Sequence, residues 1–178
     1  MNTKISLIAL LILGSISFSG CFLGGLIDGV SANGTTTTQS YTLPAFSAIE
    51  LRTDVDLTIS QSSTQSVDAT GSDNLLNLLD ISVVNDRLII EVDECLITSD
   101  LSMDIAVDSL EAIEILGSGN VTIPQTFVTD DLELNIGGSG DMELMLDAED
   151  ISVEIRGSGN VALEGTAVDL ALEIAGSG

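Results

Sequence analysis

The chain has no histidine and no tryptophan, one tyrosine, and four lysine or arginine residues among 178. Each shortage removes a class of function. Without His there is no imidazole to act as a general base and no His-containing metal cluster. Without Trp, and with aromatics at 3 %, there is almost no platform on which a sugar ring could stack. Four bases cannot form a cationic surface, and the 28 acids set against them give a formal charge of −24, which repels nucleic acid and anionic membrane. Two prolines leave the turns to seventeen glycines, and two cysteines, Cys21 and Cys95, make no disulfide framework.

What is present is aliphatic. Apolar residues make up 44 % of the chain, so a core is available from Val, Ile and Leu rather than from large rings. The acids do not form a block. They alternate with apolar residues, as in Ile113-Glu114-Ile115 and Leu132-Glu133-Leu134, which points to the solvent face of strands rather than to a disordered acidic tail. No Gly-x-Gly-x-x-Gly leads from a strand into a helix, and there is no phosphate-binding P-loop.

The N-terminus reads as an export signal. Lys4 is followed by a short apolar stretch, Ile5 to Ile16, which is broken by Gly14-Ser15 and is too short to span a bilayer comfortably. It ends at Phe18-Ser19-Gly20-Cys21, which resembles the lipobox of bacterial lipoproteins, with Phe18 where Leu is commoner. That resemblance implies cleavage before Cys21, a diacylglyceryl thioether on its sulfur and an acylated amine. Acyl chains attach a protein firmly without a transmembrane helix, at about 0.8 kcal/mol per buried CH₂. The other readings are an ordinary signal peptide with a chance Cys and an uncleaved anchor. Removal of residues 1–20 takes Lys4 and leaves 28 acids against three bases, a charge of −25. Residues 21–40, with Gly24-Gly25, Asp28-Gly29, Asn33-Gly34 and Thr35 to Thr38, read as a lipid-anchored flexible tether. With Cys21 given to lipid, Cys95 reads as a buried, inert thiol, since Glu91, Asp93 and Glu94 deny it the cationic surroundings of a reactive one.

Gly-Ser-Gly recurs at 117–119, 138–140, 157–159 and 176–178, at spacings of 21, 19 and 19 residues. A period near twenty is a solenoid signature. Alternating strands flank each turn: Leu132, Leu134 and Ile136 precede the second, Ile151, Val153 and Ile155 the third, Leu170, Leu172 and Ile174 the fourth. One repeat cannot bury its apolar face alone. Stacked repeats can, through columns such as Ile115/Ile136/Ile155/Ile174, in which each buried Ile is worth about 1.5–3 kcal/mol. The expected fold is therefore all-β, a β-helix or solenoid with rungs of about 19–21 residues. Glycine at the corners meets a need for positive φ or for close backbone approach.

After each turn stands Asn120, Asp141 or Asn160. These read as a structural ladder, with one carboxylate between two amides; the functional alternative is a weak cation site. Gly137 to Asp141 differs from the calcium-binding nonapeptide repeat in both spacing and period, so that family is rejected. No catalytic residue, resident metal or cofactor is assigned.

Residues 41–110 alternate less regularly. Ile49–Leu51, Val55–Ile59, Val67–Ala69, Ile81–Val83 and Leu88–Val92 read as strands, Asn85-Asp86 as a turn, and Leu75–Leu79 as a helical turn or packed loop. No linker divides this half from the repeats, so 41–178 is taken as one domain. From Phe46 to Gly178 the order of features, Phe46-x-x-Ile49, Val55-x-Leu57-x-Ile59, Leu88-x-Ile90 and then the serial Gly-Ser-Gly-Asn/Asp turns, resembles the head-GIN-domain family of auto-transporter adhesins. The resemblance implies a right-handed β-helical fold in exported or lipid-anchored envelope proteins. The sequence stops inside the fourth turn, where a solenoid needs a cap, and the expectation is that the domain is truncated there.

The function expected is a non-enzymatic, lipid-anchored envelope module for adhesion, binding or scaffolding. It would be held at the outer membrane on its periplasmic or surface-facing leaflet, and its partner would be an envelope protein or an extracellular polymer. The alternative is an accessory protein-binding component of an envelope sensing or assembly system. An enzyme reading meets only Arg52, Arg87 and Arg156 as mature bases, and acids that alternate as solvent faces do.

Overall fold

The computed structural model describes residues 29–178 apart from 93, 98 and 99; the export signal, Cys21 and the start of the expected tether lie outside this range. The described chain is all-β but for a four-residue helix. Its strands are β1 (Thr36–Ser40), β2 (Ala48–Leu51), β3 (Asp56–Gln61), β4 (Ser66–Ser72), β5 (Leu79–Val84), β6 (Arg87–Val92), β7 (Ser102–Val107), β8 (Ala112–Ile115), β9 (Val121–Ile136), β10 (Met142–Ile155) and β11 (Val161–Ile174). The helix α1 (Asp73–Leu76) is the Leu75 region, docked by its buried Leu75 and Leu76. No helix among the described residues is long and apolar enough to cross a membrane.

All eleven strands join one open sheet. β9, β10 and β11 are long passes laid over one another in parallel register. The start of β9 pairs with β3, which pairs in turn with β7, and β4 and β1 then close that wall by antiparallel pairing. The end of β9 pairs with β8, then β2, then β6, and β5 closes this wall, again antiparallel. The expected aliphatic column is present and longer than expected: Ile90, Leu51, Ile115, Ile136, Ile155 and Ile174 follow one another in register. The first five are buried, whereas Ile174 on β11 is 50 % exposed. A right-handed β-helix running through 41–178 is a finer statement than this pairing carries. Before β8 the strands pair out of chain order, and three pairs are antiparallel.

Two expectations are corrected. The flexible tether does not extend to residue 40. Val30 donates to Cys95 O and its own carbonyl accepts from Ile97 N, Asp73 N donates to Thr35 O, and Thr36–Ser40 pair residue by residue with Ser72–Asp68. An exposed threonine run still carries a full set of backbone donors and acceptors, and β4 offers an edge to satisfy them. Cys95 is disulfide-bonded rather than a free thiol. The chain's other cysteine, Cys21, lies outside the described residues.

The Gly-Ser-Gly turns are explained by crowding rather than by positive φ, which among the described glycines occurs at Gly34 and Gly165. A Cβ on Gly138 would lie 2.0 Å from Gly117 O, and one on Gly157 would lie 1.9 Å from Gly138 O. The turns also hydrogen-bond upward, Ser139 N to Gly117 O and Ser158 N to Gly138 O, both at 2.9 Å. Only a residue without a side chain lets two corners approach this closely. The second bend of each pass leaves no gap in the strand. It is marked in β10 by a register shift between Leu144 and Leu146, and in β11 by Gly165 at φ +134°.

Candidate functional site

Parallel stacking turns a period-two pattern into columns, because the outward residue of one strand sits beside the outward residue of the next. On the wall built from β6, β2, β8 and the ends of β9 to β11, one column runs Glu50, Glu114, Asn135, Glu154, Glu173. Like charges at the spacing of adjacent strands repel, and the arginines answer this. Arg52 Nε meets Glu50 Oε1 at 2.6 Å and its Nη1 meets Glu91 Oε2 at 2.8 Å. Arg87 Nη1 meets Glu114 Oε2 at 3.2 Å, with its Nε 3.8 Å from Glu50 Oε2. Arg156 Nη2 meets Glu154 Oε1 at 2.5 Å. All three arginines of the described chain are therefore committed to this one face.

Glu50, on β2, is 8 % exposed, with an arginine on each carboxylate oxygen. The hydrogen bonds from Arg52 to Glu50 and then Glu91 hold the guanidinium above its ordinary pKa. The Glu114 carboxyl is also raised, first by burial and then by repulsion from Glu50, against the pull of Arg87. Carboxylates clamped by guanidinium groups are held in fixed positions and are poorly placed to exchange protons with a substrate.

The expected turn ladder is assembled, with one member more than the sequence reading contained. Asn120 donates from its backbone N and from Nδ2 to Asp56 Oδ1, at 2.9 and 3.0 Å. Asp141 N donates to Asn120 Oδ1 at 3.0 Å. Asn160 donates from N and Nδ2 to Asp141 Oδ1, at 2.7 and 3.0 Å. Acid and amide thus alternate up the stack. Asp141 is not flanked by two donating amides: Asn160 donates to it, whereas Asn120 accepts from it. Each oxygen used here satisfies a backbone N–H of the next level. Among the described residues no group of three or more His, Cys, Asp or Glu is placed to hold a metal ion.

A third column escaped the sequence reading. Asp131, Asp150 and Asp169 are in register, all exposed, beside a shallow groove of about 440 Å³ that also takes in Glu111 and Glu133. Their 19-residue spacing was visible in the sequence, but they follow a different phase from the Gly-Ser-Gly turns.

Comparison with known proteins places these features. The family profile for the putative auto-transporter adhesin, head GIN domain, matches residues 45–178. The chain belongs to that family. No curated protein matches it. Among solved structures, it is similar to a putative lipid binding protein from Parabacteroides distasonis, with a TM-score of 0.74 and 19 % identity over 82 % of this chain and 65 % of that one. It is also similar to a putative adhesin from Bacteroides fragilis, with a TM-score of 0.60 and 16 % identity over 83 % of this chain and 97 % of that one. A putative adhesin from Parabacteroides distasonis gives 0.63 and 21 %, over 83 % and 73 %. The chain thus spans just under two thirds of the first of these structures. At such identities the likeness is one of fold, and the function of this chain has to be argued from its own surfaces.

Proposed function

We propose that this head GIN domain is a non-enzymatic binding module of the cell envelope, an adhesion or scaffolding domain. The observation that carries the reading is the registered column of Glu50, Glu114, Asn135, Glu154 and Glu173, with Arg52, Arg87 and Arg156 bound along it. A stacked sheet repeats its outward groups about every 4.8 Å. An extended polymer or a partner protein's strand meets such a face at many equivalent points, so weak contacts add along its length. The names of the similar structures, adhesins and a lipid binding protein, agree with a binding role. In the finer reading of the fold, the passes continue as a right-handed β-solenoid with rungs of 19–21 residues.

The test is adhesion of intact cells, with protease shaving to locate the domain. Deletion is expected to lower adhesion. The full-length chain is expected to restore it, and Arg156→Glu, a change on an exposed side chain, is expected to restore it only in part. Unchanged adhesion on deletion, in cells whose domain is accessible to protease, contradicts the adhesion reading.

A further inference from the structure

β11 forms one end of the stack and presents a free edge. It pairs with β10 along one side, and among the described residues no strand pairs with the other. Side chains that belong to the core lie open there. Leu144, Ile151, Val153 and Ile155 of β10 are buried, whereas their register partners Leu163, Leu170, Leu172 and Ile174 are 36 %, 59 %, 61 % and 50 % exposed. Together with Val153 and Ile155 these four line an open apolar cavity of about 290 Å³. The outward groups change on the same strand. Ala162 stands in register with Glu143, and Ala171 with Ser152 and, one pass further back, Glu133. Val168, 78 % exposed, follows Ala167 where Glu149 follows the registered Ala148. An exposed edge strand is ordinarily guarded by charge, and at these positions β11 carries none.

We propose that two copies of the chain pair through this edge, β11 against the second copy's β11, antiparallel about a two-fold axis between Ala167 and Val168. The charge pattern favours a second copy in this register. β11 carries three acids, Glu164, Asp169 and Glu173, and the pairing sets them opposite Ala171, Thr166 and Ala162 of the second copy, so no acid faces an acid. The inward residues match as well: Val161 meets Ile174, and Leu163 meets Leu172. A two-fold axis lying across the end of the stack exchanges the two walls and keeps inward side chains inward, so the two apolar cores meet as one. Such a contact is isologous and closes at two copies. A head-to-tail contact with β1 lacks this fit, because β1 offers Thr, Gln and Ser alone. The rest of the surface opposes association, with a formal charge of −24 on each copy, so salt tightens the pair.

This inference needs no part of the adhesion reading, and its test is the mass of the full chain in solution. Light scattering is recorded with and without reductant, at about 100 μM protein and about 0.5 M salt. A dimer is expected that survives reduction and weakens as salt falls. Ala162→Glu and Ala171→Glu introduce acids that β10 and β9 already carry at the same register positions, so both variants are expected to fold and melt as the parent does. Each sets two like-charged pairs across the axis and is expected to raise the dissociation constant about tenfold. Ala162→Lys sets a base opposite Glu173 and is expected to lower it, which keeps the test open if either Glu variant fails to fold. Val84→Glu, the same change of charge at a half-exposed position on β5, is expected to leave it unchanged. A monomer under these conditions, a dimer lost on reduction, growth into longer oligomers, or a dissociation constant that the β11 variants do not move overturns the proposal.

Discussion

Asp56 and Asn120 are 64 residues apart in sequence, and one oxygen of the aspartate accepts both the backbone N–H and the side-chain amide of the asparagine, at 2.9 and 3.0 Å. The pair ties β3 to the start of β9, so the irregular first half of the domain and the regular second half share one ladder. Asp56→Ala removes an acceptor of two charge-assisted bonds and is predicted to cost about 1–2 kcal/mol, measured by urea unfolding. Asp56→Asn keeps the oxygen and is predicted to lose less than half of that.

The glycine corners give a sharper contrast. Gly138→Ala drives a methyl to 2.0 Å from the Gly117 carbonyl oxygen, which is backbone and cannot swing aside. A Cβ on Gly137, its neighbour, would meet the Leu116 Cδ2 end at 3.0 Å and the Ile115 oxygen at an ordinary 3.8 Å. Gly138→Ala is predicted to cost about 2–3 kcal/mol and Gly137→Ala less than about 1. Comparable losses at the two positions in thermal melts would contradict the close stacking of turns.

Glu114 gives the column a pH signature. Burial and Glu50 raise its carboxyl above the ordinary glutamate range. A carboxyl whose folded pKa exceeds its unfolded pKa binds its proton more tightly when folded, so its ionised form costs stability. That cost is present at neutral pH and is relieved as the pH falls through the raised folded value toward the unfolded one. Glu114→Gln is therefore predicted to unfold at higher temperature than the parent at neutral pH. It should also gain less on mild acidification. A variant that melts lower at neutral pH would show that the bond to Arg87 outweighs the repulsion.

Much of this architecture was legible in the sequence, because a stacked sheet writes itself as a double period, two within the strand and about twenty between passes. The column Ile115/Ile136/Ile155/Ile174 was readable for that reason. β1 was not: a strand of Thr, Gln and Ser has no apolar alternation, and it is held by the backbone of β4. Asp56 was hidden because its offset to Asn120 is 64 rather than a repeat length, even though Asp56-Leu57-x-Ile59 has the same form as Asn120-Val121-x-Ile123. The ion cluster was hidden similarly. Glu50 and Arg52, the latter just past the end of β2, are two residues apart, but Arg87 and Glu114 reach Glu50 only because β6 and β8 flank β2 out of chain order. The disulfide at Cys95 was set aside because the lipobox claimed the other cysteine.

Cys95 is disulfide-bonded. Protein digested without reduction is predicted to yield the Cys95 peptide linked through its sulfur, with a mass that falls to that of the single peptide on reduction. A Cys95 peptide that alkylates without prior reduction would contradict the disulfide.

The claim on which all of this depends is that successive passes lie directly over one another. Methyl-labelled isoleucine with NOE spectroscopy measures it most directly. Ile136 and Ile155, and Ile155 and Ile174, are register partners on adjacent strands and should show cross-peaks, whereas Ile136 and Ile174, two strand steps or about 9.6 Å apart, should show a far weaker one. Absence of the two nearest-neighbour cross-peaks in folded protein would contradict the stack.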